Sequence, residues 1–122
     1  MAVRGIRGAI DVSRNTRGEI LSKTRTLLEA MVRANRVRPD DVAAAIFSLT
    51  PDLDAEFPAI AARRMGWTDV PLMCAAELDV PGGMRKVVRI LLLVNSTRPS
   101  GKIQHQYLGK TSRLRPDLAR PR

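Results

Sequence analysis

The sequence predicts an α+β domain, an apolar sheet covered by one long and one short helix. Three observations predict it. The run Val87-Val88-Arg89-Ile90-Leu91-Leu92-Leu93-Val94 has strand length, lies between a Gly82-Gly83 turn and Asn95-Ser96-Thr97, and is apolar on both alternating faces, as expected of a strand covered on both sides. Thr16-Arg17-Gly18-Glu19 has the form of a helix capping box and opens an apolar stripe at helical spacing. Further apolar runs of strand length start at Val3 and Val42, each bounded by turn residues.

Composition sets the frame. At 122 residues and 13.5 kDa the chain is expected to be one domain, 1–122, with room for a real core. Aromatic residues are only 3%, so that core is aliphatic and alanine-rich. No apolar run reaches the ~18 residues of a membrane span. Met1-Ala2-Val3-Arg4-Gly5 lacks the apolar segment of a secretory signal. The single cysteine, Cys74, excludes an internal disulfide and suits a reducing cytoplasm, the expected compartment.

The net charge is +9, and its distribution says more than its size. Residues 1–38 hold nine basic and three acidic side chains, residues 39–84 two basic and eight acidic, and residues 85–122 ten basic and one acidic. This alternation permits an acidic surface on one copy to meet a basic surface on another. It equally permits a basic face for phosphate backbones or small anions.

Taken in order, the strand from Val3 to Val12 carries Ile6, Ile10 and Val12 on one side. The other side carries Val3, Gly5, Arg7, Ala9 and Asp11. Gly5 and Ala9 leave a concavity beside the Arg7 guanidinium, which a ligand fits; a solvated arginine on an edge strand is the plainer account. The long helix follows, with Ile20, Thr24, Leu27, Leu28, Met31 and Val32 on one face, and ends near Ala34, before Pro39. Val42 to Leu49 is a second buried strand. Phe57-Pro58 starts a short helix with proline at its first position, placing Ala59 and Arg63 on one face. Val70-Pro71-Leu72-Met73-Cys74 returns the chain as a strand, and Pro81-Gly82-Gly83 turns it into the Arg89 run. Ile103 to Leu108 is a short extended piece. Residues 110–122 are expected to form a mobile, basic C-terminal tail.

Arg89 is the oddity of its strand. A guanidinium stays charged, and burying one unpaired costs several kcal/mol. An anion is therefore expected beside it, and on these residues alone an internal ion pair is the simpler partner than a ligand. One histidine and one cysteine, distant in sequence, make no metal set, and neither a metal nor another cofactor is expected. A Cys74–His105 dyad lacks a third group to orient it. With two phenylalanines, one tyrosine and one tryptophan, stacking on nucleic-acid bases is poorly supported. What remains is arginine: Arg7, Arg63, Arg89 and Arg115. Arginines set in apolar strands suit a small polyanion in a concave, partly dry site.

At this point the chain resembles the monofunctional AroH-class chorismate mutases over nearly its whole length. The resemblance rests on Arg4-Gly5-Ile6-Arg7-Gly8-Ala9, Thr50-Pro51-Asp52-Leu53, Phe57-Pro58-Ala59, Gly66-Trp67 with Val70-Pro71, and Asp79-Val80 with Gly82-Gly83. It continues through His105 with Tyr107-Leu108 and Leu114-Arg115-Pro116-Asp117-Leu118. Each is weak alone; their order and spacing around Arg89 make them specific.

The resemblance implies a mixed sheet with one long and one short helix on one face, trimerising into a pseudo-α/β barrel with active sites between subunits. It implies chorismate as substrate, prephenate as product, and neither nucleic acid nor membrane as partner. One subunit would contribute Phe57, Ala59 and Arg63. Its neighbour would contribute Arg7, Leu72, Met73, Cys74, Glu77, Arg89 and Tyr107, with Leu114 and Arg115 on a tail that orders over the ligand. Arg89, Arg7, Glu77 and Cys74 carry the catalytic roles in that reading. Ile60 and Met73 depart from the family pattern, which bears on affinity; at Met73 a backbone contact would survive the change. Readings from other classes are a basic nucleic-acid-binding module, a trimeric enamine/imine deaminase and a non-catalytic chorismate-binding relative.

Overall fold

In the computed structural model, which describes residues 1–119, the apolar run around Arg89 is the centre of a five-stranded sheet. Strand β1 is Ala2–Asp11, β2 Val42–Leu49, β3 Leu72–Ala76, β4 Val87–Ser96 and β5 Gln106–Leu108, in the order β3-β2-β4-β1-β5. Strand β4 runs antiparallel to both β1 and β2, while β5 is parallel to β1 and β3 parallel to β2. The sheet is therefore mixed. Strand β1 is internal rather than an edge, because β5 covers its outer side.

Helix α1 (Arg17–Asn35) and the short α2 (Ala59–Arg64) supply the cover. The buried stripe Ile20, Leu21, Thr24, Leu27, Leu28, Met31 and Asn35 lies on the sheet face formed by Ile6 and Ile10 of β1, Phe47 of β2, and Val88, Ile90 and Leu92 of β4. Ala59, Ala62, Trp67 and Val70 extend the same core. Gly8 lets the helix lie close. A Cβ there would overlap Met31 Sδ and press on Leu27 Cδ1. No helix among the described residues is long and apolar enough to cross a membrane.

Three details differ from the sequence reading. Helices cover strand β4 on one face only: on the other, Val87 is buried but Leu91 and Leu93 are only half-buried, because both helices pack on the Ile90 side. Thr16 caps α1 as expected, its Oγ1 accepting from Glu19 N–H at 3.2 Å. Glu19, however, accepts from Ser13 N–H instead of Thr16 N–H, which the Arg14 carbonyl already binds. Pro58 is the residue before the first turn of α2, one position outside the helix it was predicted to begin.

The entry to β4 is held by Asp52, whose two carboxylate oxygens accept from Lys86 N–H at 2.9 and 3.2 Å. This fixes Lys86 in a left-handed conformation (φ 55°), which an L side chain adopts only when its surroundings insist. The next residue is tied too, Val87 N–H donating to Thr50 Oγ1 at 3.0 Å.

Two predictions follow from this packing. Thr24 is fully buried on the core face of α1, and its Oγ1 has no hydrogen-bond partner among the described residues. Thr24→Val keeps the shape and removes the orphaned hydroxyl, so it should stabilise the fold by about 1 kcal/mol. A higher urea midpoint is the expected result, and a lower one would show that the hydroxyl is satisfied.

The second concerns Asp52. Burial raises its carboxyl pKa, but hydrogen bonds from Thr50, Lys86 N–H and its own N–H, with the Arg85 charge, outweigh that and hold it below the ordinary 3.8. A depressed carboxyl contributes stability that is complete above its unfolded pKa and lost as pH falls through the folded one. The stability gap between wild type and Asp52→Asn, read by urea unfolding, should therefore be full at neutral pH and close in the acid range below 3.8.

Candidate active site

The sheet face turned away from the helices carries the charge. Register places Ala9 of β1 and Ser48 of β2 directly beside Arg89, Arg7 beside Leu91, and Tyr107 of β5 beside Ala9. Small neighbours leave the guanidinium room. A cavity of about 440 Å³ opens over this surface, lined by Arg7, Ser48, Arg89, Leu91, Tyr107, Leu114 and Arg115 among others. A smaller hollow of about 150 Å³ also borders Arg89, with Glu77, Asp79 and Arg85 among its lining.

Arg89 has the internal partner that its strand setting required. Its Nε donates to Glu77 Oε1 at 3.1 Å, and Ser48 Oγ donates to Glu77 Oε2 at 2.6 Å. The side chain of Glu77 is 17% exposed and that of Arg89 41%, so the pair is partly desolvated yet open to a ligand. Among the described residues the Arg89 side chain bonds only Glu77, and only through Nε. The two terminal nitrogens remain for the cavity that Arg89 lines.

Arg7 is fixed from behind, its backbone N–H donating to His105 Nδ1 at 2.9 Å. His105 and Arg115 share with Arg7 a further hollow of about 380 Å³. Arg115 forms a two-point ion pair with Asp117, at 3.0 and 3.2 Å, and those hydrogen bonds raise its pKa above the usual arginine value. The tail predicted to be mobile from residue 110 is tied at its root, where Thr111 is fully buried and Lys110 N–H donates to Asp11 Oδ1 at 2.8 Å. Past a helical turn, α3 (Pro116–Ala119), residues 120–122 of that predicted tail lie outside the described residues.

Of the residues expected at the site, one chain brings together Arg7, Arg89, Tyr107, Leu114 and Arg115, with Glu77 behind Arg89. Met73 shares their sheet face, opposite Ile46, and is 62% exposed. Leu72 and Cys74 do not join them through side chains. They pair with Ala45 and Phe47 and pack against the core, because strand residues alternate between faces. Their main chain is another matter. Ala45 N–H bonds the Pro71 carbonyl and Glu77 N–H bonds the Leu49 carbonyl, so Met73 and Ala75 engage β2. The backbone groups of Leu72, Cys74 and Ala76 point outward along the free edge. The backbone contact expected at Met73 is thus committed to the sheet, and the edge offers one at Cys74 instead.

Phe57, Ala59 and Arg63 lie on or beside α2, on the helix side, and none lines the Arg89 cavity. Phe57 is 66% exposed and Arg63 is exposed, but the Ala59 side chain is buried in its own core. Sequence reasoning overlooked Ser48 and the hydrogen bond from Arg7 to His105. Ser48 carried a readable signal, being a lone polar residue inside an apolar strand, as Arg89 is. Among the described residues no group of three or more His, Cys, Asp and Glu side chains is placed to hold a metal ion.

Comparison with known proteins fits this geometry. The family model "Chorismate mutase type I" matches residues 3–118. The chain is 48% identical over 120 residues to "Chorismate mutase AroH" of Bacillus subtilis (strain 168), covering 98% of this chain and 94% of that one. It is 47% identical over 117 residues to "Chorismate mutase AroH" of Thermus thermophilus, covering 95% and 96%. A solved chorismate mutase from Clostridium thermocellum superposes with a TM-score of 0.87 at 47% identity, covering 88% of this chain and 96% of that one. The sheet, the arginine face and these relatives agree: the chain belongs to the type I chorismate mutase family.

Proposed function

We propose that this chain isomerises chorismate to prephenate at the Arg89 face, as a step of aromatic amino-acid biosynthesis in a reducing cytoplasm. The observation that carries the assignment of the site is Arg89 itself, a guanidinium on a central strand that lines the cavity, with Nε braced by Glu77 and its terminal nitrogens without a partner among the described residues. The substrate is a dicarboxylate whose ether C–O bond breaks while a C–C bond forms in one pericyclic step. No proton transfer and no nucleophile is needed. Two contributions are left to the protein.

The first is conformational. Holding the enolpyruvyl arm over the ring turns a rare geometry into the bound one. Arg7 and Tyr107 take the side-chain carboxylate, and Arg115 or a neighbouring subunit's Arg63 takes the ring carboxylate by charge-assisted hydrogen bonds. Leu114 closes over them.

The second is electrostatic. Negative charge gathers on the ether oxygen as its bond lengthens, and positive charge on the ring. Arg89 meets the oxygen with a guanidinium already oriented by Glu77 and Ser48, so no reorganisation accompanies the reaction. Glu77, with the outward backbone of Cys74, takes the ring hydroxyl and favours the developing positive charge.

The site is completed by a second copy in a homotrimer. Exposed Phe57 and Arg63, half-exposed Leu91 and Leu93, and the free edge of β3 together support this reading. An apolar surface of this kind is what subunit association buries. Phe57 of the neighbour and Met73 then form the walls.

Arg89→Ala should lower kcat by about 10²–10³ or more with the fold intact, as removal of one transition-state donor does. The assay is loss of chorismate ultraviolet absorbance with prephenate identified as product; near-wild-type turnover would sink the mechanism. Assembly is tested by co-expressing Arg63→Ala and Arg89→Ala chains, each weakly active alone. If the two residues serve one site from different subunits, mixed oligomers regain activity, because some sites receive both intact residues. No recovery would place both residues on one chain. Native mass should be three times the 13.5 kDa chain.

A further inference from the structure

The root of the tail is built with more care than a mobile segment needs. Gly109 has φ +60°, and a Cβ there would run into Asp11 Oδ1. That oxygen accepts from Lys110 N–H at 2.8 Å. Next, Thr111 is 0% exposed, and its hydroxyl lies 2.9 Å from the Ala9 carbonyl and 2.6 Å from that of Leu108. Finally the Thr111 carbonyl accepts from Leu114 N–H at 2.9 Å, closing a tight turn. Left-handed glycine, carboxylate and buried hydroxyl thus act on consecutive residues.

The point of attachment matters. Ala9 is the β1 residue in register with both Arg89 and Tyr107. A hydroxyl fixed on the Ala9 carbonyl therefore ties the tail to the strand between two cavity side chains. One short turn later the chain delivers Leu114 and Arg115 to the same cavity. From a tether so near, a small tilt of the turn displaces the Arg115 guanidinium.

We infer that Thr111 and Asp11 are a latch that fixes the root of the tail on β1 and so sets where Leu114 and Arg115 stand over the substrate. Both are positioning residues, and neither touches the reacting atoms. The tail thereby divides into a fixed root, residues 109–113, and a part beyond it that meets the ligand. The inference rests on the reading that Arg115 binds substrate, and its test separates the two.

The test is steady-state kinetics of the full chain with chorismate. Thr111→Val keeps the buried shape and removes the hydroxyl. KM should rise about 3- to 10-fold, the worth of one net hydrogen bond, with kcat unchanged. Thr111→Ser should restore wild-type KM. In an Arg115→Ala background, which itself raises KM, the effect of Thr111→Val should shrink to what Leu114 alone carries, since the latch acts mainly through Arg115. If Arg115→Ala raises KM while Thr111→Val leaves it unchanged, or the two effects simply multiply, the latch is overturned. If Arg115→Ala leaves KM unchanged, the fault lies with the tail's place in the site. Should Thr111→Val not fold, Asp11→Ala reads the same split from the half-exposed end of β1.

Discussion

The structure turns on an ion pair that is only half buried. Arg89 on a central strand needs an anion, and Glu77 supplies one through a single nitrogen while Ser48 holds the other carboxylate oxygen. Deeper burial would make desolvation outweigh the attraction; full exposure would leave the pair loose and worth little. The intermediate position orients the guanidinium and still leaves its terminal nitrogens to bind something else. Antiparallel pairing on both sides of β4 fixes the backbone beneath it, and Ala9 and Ser48 are small enough to leave the space open.

That requirement explains the one-sided architecture. All the large buried side chains of α1 pack on the Ile90 side of β4, which leaves the Arg89 side free of helices. A sheet covered on both faces would have needed to fill the cavity with its own side chains. What covers the second face in part is the tail, whose Leu114 and Arg115 reach the cavity from a root tied to β1. The same half-covered face, with Leu91 and Leu93 at its surface, is what the proposed assembly would close.

Mixed topology also sorts the third strand. Because β3 is an edge strand parallel to β2, one set of its backbone groups is committed to the ladder and the alternate set is free. Cys74 accordingly turns its thiol to the core and its main chain outward. A side chain expected to meet the ligand becomes a packing group, and its backbone takes the exposed position. Ala59 is a similar case on α2, with its methyl buried and its neighbours Phe57 and Arg63 exposed.

The sequence by itself determined the elements, since each depends on local rules. Thr16 capped the long helix, the apolar stripe set its buried face, and apolar runs bounded by turns became β1, β2 and β4. It also singled out Arg89 and Arg7, because a charge inside an apolar strand is anomalous wherever the strand lies. Family motifs added Tyr107, Glu77 and the tail residues. Tertiary structure decided what depends on register and on distant partners. Ser48 matters only because it stands beside Arg89, across strands that are far apart in sequence. His105 meets Arg7, and Thr111 meets Ala9, through contacts spanning almost the whole chain. Strand parity gave Cys74 its direction, and shifting the pairing by one residue would have reversed it. Periodicity says which faces a segment has; only the packed sheet says which neighbour each face receives.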